Sequence, residues 1–289
     1  MDGRIDVRKT YKLFIGGAFP RSESGRTYAV TDAKGRFLAN ASLASRKDAR
    51  DAVLAARAAQ RGWWSATAYN RGQVIYRIAE MLEGRRAQFE DEIERSEGCS
   101  ARRASAQVDA SIDRWVWYAG WSDKIAQVLG SSNPVAGPYF NFSTPRPTGV
   151  VAAIAPQRPS LLGLVSVVAP IIVSGNSCVV VASPECPLPA ITLAEVLATS
   201  DLPGGVINIL TGAPGEIGPW LASHADVDAL DLTGVVDDGV ATEMAVAAAE
   251  TITRVLPPPA SPPDWSADPG LGRISAFVET TTVWHPQGV

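Results

Sequence analysis

Cys99, Cys178, Cys186, His224 and His285 carry the most reactive side chains in this 289-residue sequence. A thiol attacks carbon only as a thiolate, with a base beside it and a donor for the oxyanion. None of the three cysteines has such a partner nearby in sequence. Their number is odd, their spacing is wide, and no CxxC or HExxH pattern is present, so neither a disulfide framework nor a metal site is expected. Cys178 and Cys186 lie in apolar stretches and read as small buried hydrophobes. A second candidate chemistry is phosphate cradling. Gly212-Ala213-Pro214-Gly215-Glu216-Ile217-Gly218 fits a strand-to-helix turn whose helix N-terminus would favour an anion. Glu216, in the first turn, competes for that positive end. Tight βα connection remains an equally good reading of these glycines.

Charge limits the partners. The chain has 26 Lys+Arg and 30 Asp+Glu, net −4, which argues against non-specific nucleic-acid binding. The balance is uneven: residues 1–133 hold 22 Lys+Arg and 16 Asp+Glu, whereas residues 134–289 hold 4 and 14, with no lysine after Lys124. The start MDGRIDVRKTYK has no apolar core, so no signal peptide is expected. Pro159 to Pro184 is free of charge and long enough to mimic a membrane span. Pro170 and Ser174-Gly175-Asn176 interrupt it, which predicts a buried helix followed by a buried strand. A soluble cytoplasmic protein is expected.

The elements that would position a site follow from periodicity. Residues 11–43 alternate around turn pairs and predict a few strands. Ser45, with Asp48 three residues on, opens a helix. Helical periodicity continues over about 70–97 and 105–126, and the arginines of those stretches read as a solvated face. Residues 137–144 alternate like one arm of a hairpin. Four apolar strands then alternate with helices: Val150–Ala155, Cys178–Val181, Val206–Leu210 and Ala229–Leu232, the helices covering about 160–173, 188–200, from Pro214, and 239–250. This is the pattern of an α/β, doubly wound parallel sheet, where ligands bind at the carboxyl ends of the strands. Residues 257–270 contain six prolines and predict an exposed linker. Arg273–His285 predicts one lone strand, which must pair with the 137–144 hairpin or with another chain.

Several segments, in order, resemble the aldehyde dehydrogenase superfamily. They are KLFIGG (12–17), YAGWSDKI (118–125), PTGVVAAIAP (147–156), SGNSCVVVASPECPL (174–188), DLPGGVINILTG (201–212) and HADVDALDLTG (224–234). The resemblance implies a Rossmann-like fold with N-terminal helices, an oligomerisation hairpin and a C-terminal oligomerisation strand. It divides the chain into 1–126, strands and helices of the nucleotide-binding domain; 127–147, the hairpin; 148–256, the Rossmann-like part; 257–272, a proline-rich linker in place of a catalytic domain; and 273–289, the terminal strand. It also places a vestigial NAD or NADP site at Ile154, Ala155, Pro156, Ser183, Gly212, Gly215, Gly218, Thr233 and Gly234.

The departures from that pattern concern chemistry. The family's Pro-Trp-Asn is Pro156-Gln157-Arg158 here, so an amide that helps form the oxyanion hole becomes a cation. The ribose-binding Lys and the Glu three residues on become Val181 and Pro184. The second close-approach glycine becomes Pro214. Phe-Thr-Gly-Ser becomes Leu232-Thr233-Gly234-Val235. The general-base Glu position falls at Pro258 or a neighbour, and no residue occupies the nucleophile position. The resemblance therefore implies no catalytic residues and a weak or lost cofactor. It points to a silent subunit partnered with a full-length aldehyde dehydrogenase. An autonomous NAD(P)-linked oxidoreductase using Gly212, Gly215, Gly218, Gly234 and Gly239, and a homo-oligomeric scaffold or filament, are the alternatives.

Overall fold

The computed structural model describes residues 9–288; the first eight residues of the charged N-terminal start and Val289 lie outside it. Strand β1 (Thr10–Tyr11) pairs with β3 (Phe37–Ser42), which pairs with β2 (Thr27–Thr31). Helix α1 (Arg46–Ser65) opens on the expected capping box, with Ser45 and Asp48 exchanging hydrogen bonds. The periodic stretch 70–97 is two helices, α2 (Ala68–Glu83) and α3 (Arg86–Glu97), because the chain turns at Gly84-Arg85. Helix α4 (Ala101–Trp121) starts and stops earlier than its apolar spacing predicts, and a short α5 (Ile125–Leu129) follows.

Strands β4 (Ser131–Asn133) and β5 (Tyr139–Pro147) form the hairpin. The parallel sheet then contains β6 (Val150–Ile154), β7 (Ser177–Val181), β8 (Ile207–Leu210) and β9 (Ala229–Asp231). Its helices are α6 (Leu162–Val173), α7 (Leu188–Leu197), α8 (Pro214–Ala222) and α9 (Asp238–Ala249). A fifth strand, β10 (Arg254–Leu256), was not expected. It lies parallel to β9 in the order β10-β9-β6-β7-β8. Short α10 (Gly272–Ser275) and β11 (Val278–Pro286) complete the chain.

The sheet has a core on each face. Val151, Ala153, Cys178 and Val180 point into the layer that holds α2, α3, α4, α6 and α7. Val150, Ala152, Ile154, Val179 and Val181 point the other way, to α1, α8 and α9. Continuous apolar runs are what two buried faces require. Every residue of α6 is buried, so the charge-free stretch is core; among the described residues no helix is long and apolar enough to cross a membrane.

Residues 257–270 form no helix or strand and are mostly exposed. Trp265 nonetheless packs on the core, and Arg114 of α4 donates to the carbonyls of Trp265 (2.6 Å) and Ala267 (3.0 Å). The expected start of the terminal strand needs correction. The strand begins only at Val278. Ile274 and Phe277, both fully buried, sit three residues apart on a helical turn rather than alternating. The strand's pairing is within the chain, with β11 running antiparallel to β5 over nine residue pairs, Val278↔Pro147 to Pro286↔Tyr139. On the resulting β11-β5-β4 sheet Tyr139, Phe140 and Trp284 are exposed, and Tyr139 meets Trp284 edge-on at 5.7 Å.

Away from the strand ends, Glu92 of α3 is buried. Its Oε1 accepts from Tyr11 Oη (2.8 Å) and Thr192 Oγ1 (2.8 Å), whereas Oε2 has no partner. Burial pushes its carboxyl above the ordinary value, outweighing those hydrogen bonds.

Candidate functional site at the strand ends

The loop after β6 and the turn after β9 meet directly. Gly234 N–H donates to the Ile154 carbonyl at 3.0 Å, and a Cβ at Gly234 would lie 2.3 Å from Ala155 C and O. Only glycine fits there. Ile154, Ala155, Pro156, Thr233 and Gly234 are thus brought together. Ser183, just past β7, joins through Gln157: its Oγ donates to Gln157 Oε1 (2.9 Å) and accepts from Cys186 N (3.0 Å). Gly212, Gly215 and Gly218 lie along the β8–α8 turn and first helical turns. Gly212 has φ +143°, Gly215 faces open space, and Gly218 packs on Met244, where a Cβ would be 2.8 Å from Cε.

Charges at the site are already matched. Glu216 pairs with Arg26 at 2.8 Å, so its competition for the α8 N-terminus is partly answered within the chain. Asp231, the last residue of β9, is fully buried. Its Oδ1 accepts from Thr233 N (2.9 Å) and Thr233 Oγ1, and its Oδ2 accepts from Arg273 Nη2. Arg273 Nη1 also reaches Thr233 Oγ1 at 3.0 Å. The Thr233 hydroxyl therefore both donates and accepts inside the chain. Val181 is fully buried in the apolar layer facing α1 and α8. The sequence reading missed Asp231 and Arg273. A carboxylate ending an otherwise apolar strand, ALD, is the signal that could have found the first, because buried charges need partners.

Residues 258–265 roof a cavity of about 500 Å³ over Pro156, Gln157, Thr233 and Val235. A neighbouring cavity, also about 500 Å³, lies between α4 and the same segment; Arg158, Pro263 and Trp265 border both. Arg158 is half exposed and lies 3.6 Å from Glu185.

Of the cysteines, Cys186 borders this arrangement, its N–H on Ser183 Oγ and its thiol against Arg158. Cys178 is fully buried in β7, and burial, reinforced by the Asp231 charge, pushes its thiol up. Burial also raises Cys186, whose Sγ lies 3.6 Å from the Ser96 carbonyl. Cys99 is half-buried and is raised by burial and then by Glu97. No group of acids, histidines and cysteines among the described residues is arranged to hold a metal ion.

Residues 19–257 match the aldehyde dehydrogenase family. The chain is 31% identical over 248 residues to the cytosolic 10-formyltetrahydrofolate dehydrogenase of Mus musculus, covering 82% of this chain and 27% of that protein. It is 32% identical over 240 residues to retinal dehydrogenase 2 of Gallus gallus, covering 81% and 46%. The structure of an aldehyde dehydrogenase from Bacillus cereus in complex with NAD+ superimposes with a TM-score of 0.79 at 25% identity, over 86% of this chain and 50% of that one. Betaine aldehyde dehydrogenase of Staphylococcus aureus in complex with NAD+ gives 0.79 at 26%, over 85% and 48%. The chain spans about half the length of these solved structures and less of the curated relatives.

Proposed function

Given that the chain belongs to the aldehyde dehydrogenase family, we propose that it is a catalytically silent subunit. In this reading it assembles with a full-length NAD(P)-dependent aldehyde dehydrogenase and stabilises or regulates that partner. The observation that carries the reading is the direct run from β10 through residues 257–277 into β11. Arg273 and the proline segment stand at the strand ends, where an enzyme of this family needs its base and nucleophile. The segment brings neither: its acids, Asp264 and Asp268, are bonded to their own loops, and it has no cysteine.

The strand-end residues fit a dinucleotide poorly. Val181 offers no polar atom to a ribose, the Thr233 hydroxyl is engaged by Asp231 and Arg273, and Val235 replaces a hydroxyl. Losing one charge-assisted hydrogen bond costs about 1.5–3 kcal/mol of affinity. The cofactor is therefore weakly held or lost, and no reaction step is assigned to this chain.

Exposed Tyr139, Phe140 and Trp284 on a three-stranded sheet support assembly, since exposed apolar patches and free strand edges mark interaction surfaces. Co-expression with a full-length homologue should yield a mixed oligomer by native mass measurement, with higher soluble yield of this chain. A soluble lone monomer that leaves the partner's mass and activity unchanged would end the proposal. The same strip would also serve a homo-oligomer, for which the assembled mass without any partner is the discriminating result.

A further inference from the structure

The strand order β10-β9-β6-β7-β8 reverses at β6. The chain runs from β6 to β7 and β8 on one side, then returns to β9 on the other. In an open parallel sheet, ligands enter the crevice at such a reversal, outside the carboxyl ends of the strands. Here the crevice is bounded by residues 156–158 after β6 and 233–236 after β9, and residues 258–263 with Trp265 lie across both. The two loops fall within the residues that match the family, whereas the segment across them follows residue 257, where that match ends.

This segment is tied at both ends and nowhere between. At its start, Leu232 N–H donates to the Leu256 carbonyl at 3.0 Å, at the end of β10. At its far end, Arg114 donates to the carbonyls of Trp265 (2.6 Å) and Ala267 (3.0 Å), and the Trp265 ring packs on the core. Residues 257–263 make no hydrogen bond with any other described residue, and five of the seven are prolines, which have no N–H to give. Nor does the segment fill the space it spans, since about 500 Å³ remain beneath it. Lifting it breaks the two Arg114 hydrogen bonds and unseats one indole, a local opening that leaves the sheet intact.

We propose that residues 257–267 are an occluding strap, an intramolecular competitor that keeps a dinucleotide out of the crevice between the β6 and β9 loops until the fastening at Arg114 and Trp265 is released. Strap and ligand exclude one another, so the apparent affinity is the intrinsic affinity scaled by the fraction of molecules whose strap is lifted. The proposal rests on the reading above that this chain holds its cofactor weakly. To the missing polar partners it adds a second cause, which is reversible.

The test titrates NADH, by its fluorescence, onto the parent chain and two variants, each in whatever oligomer it purifies as. Replacing residues 258–263 with alternating Gly and Ser keeps both ends and removes the stiff apolar span; Arg114→Met releases the far end. Both should bind NADH about tenfold more tightly than the parent, or better, as expected when the strap is lifted in a tenth of parent molecules or fewer. Elastase cleavage after Ala260 should be faster in Arg114→Met than in the parent, and by reciprocity NADH should speed that cleavage in the parent. If Arg114→Met does not fold, the Gly-Ser variant decides alone. The proposal is overturned if the folded variants bind NADH no better than the parent, or if NADH slows the cleavage, which would seat the ligand beneath a closed cover. Neither result bears on assembly, which is judged by the mass of the complex with a full-length partner.

Discussion

Arg273 and Asp231 form an ion pair across 42 residues of sequence, the acid fully buried at the end of β9 and the guanidinium supplied by α10. The pair fastens the segment after β10 onto the strand ends of the sheet. Breaking one partner of a buried pair leaves an uncompensated charge, which costs about 3–5 kcal/mol. Arg273→Met should therefore destabilise the fold by about 3 kcal/mol in urea unfolding. Asp231→Asn combined with Arg273→Met should recover much of that loss. Strictly additive effects in the double variant would contradict the coupling.

Glu92 sets a pH dependence. Its folded pKa is raised by burial, so its stabilising contribution is complete below the ordinary carboxyl range and is lost as pH rises through the raised value. Each unit of that shift corresponds to about 1.4 kcal/mol at high pH. Glu92→Gln keeps an acceptor for Tyr11 and Thr192, so it should flatten stability against pH and exceed the parent at neutral pH. Equal slopes for parent and variant between mildly acidic and neutral pH would refute this.

The thiols should be quiet. Burial raises all three, and Cys178 and Cys186 are almost completely inaccessible. Alkylation of the native protein at mildly alkaline pH should modify Cys99 alone, more slowly than a free thiol, with the other two released only on unfolding. Rapid native labelling of Cys186, the one nearest the strand-end loops, would reopen the question of a nucleophile.

Assembly should depend on the exposed aromatics of the β11-β5-β4 sheet. Trp284→Ser with Tyr139→Ser removes one cross-strand aromatic pair, so the lone chain should lose about 1 kcal/mol of stability. The mass of its complexes should fall much more visibly, by native mass spectrometry. Unchanged complexes would place the interface elsewhere.

The parallel sheet was legible because β6 to β9 are mostly apolar runs, interrupted only by Ser177, Asn208 and Asp231 and divided by turn chemistry, and two-faced burial leaves that mark. β10 was not legible. Arg254-Val255-Leu256 is three residues long and only half-buried, and its register is set by β9 rather than by its own pattern. Residues 273–277 misled for a different reason: over five residues, spacings of two and of three are hard to tell apart, and burial of both Ile274 and Phe277 decided for a helical turn. Of the candidate site, glycine identities pointed to the close approach of Gly234 to Ala155. The use of Thr233 by Asp231 and Arg273 could not be read from spacing, because it joins residues placed together only by the fold.

Proline at the end of β10 also bears on how the molecule meets others. Pro257, Pro258 and Pro259 carry no N–H, so the outer margin of the parallel sheet stops offering donors after three residues. At the opposite margin, the backbone of β8 is already bridged by Phe14 at Ile209. Among the described strands, β11 is left with nine residues of backbone and a single neighbour. Of the edge strands, β11 is the longest, ahead of the five residues of β2, so its margin weighs most in both recognition and the risk of runaway polymerisation.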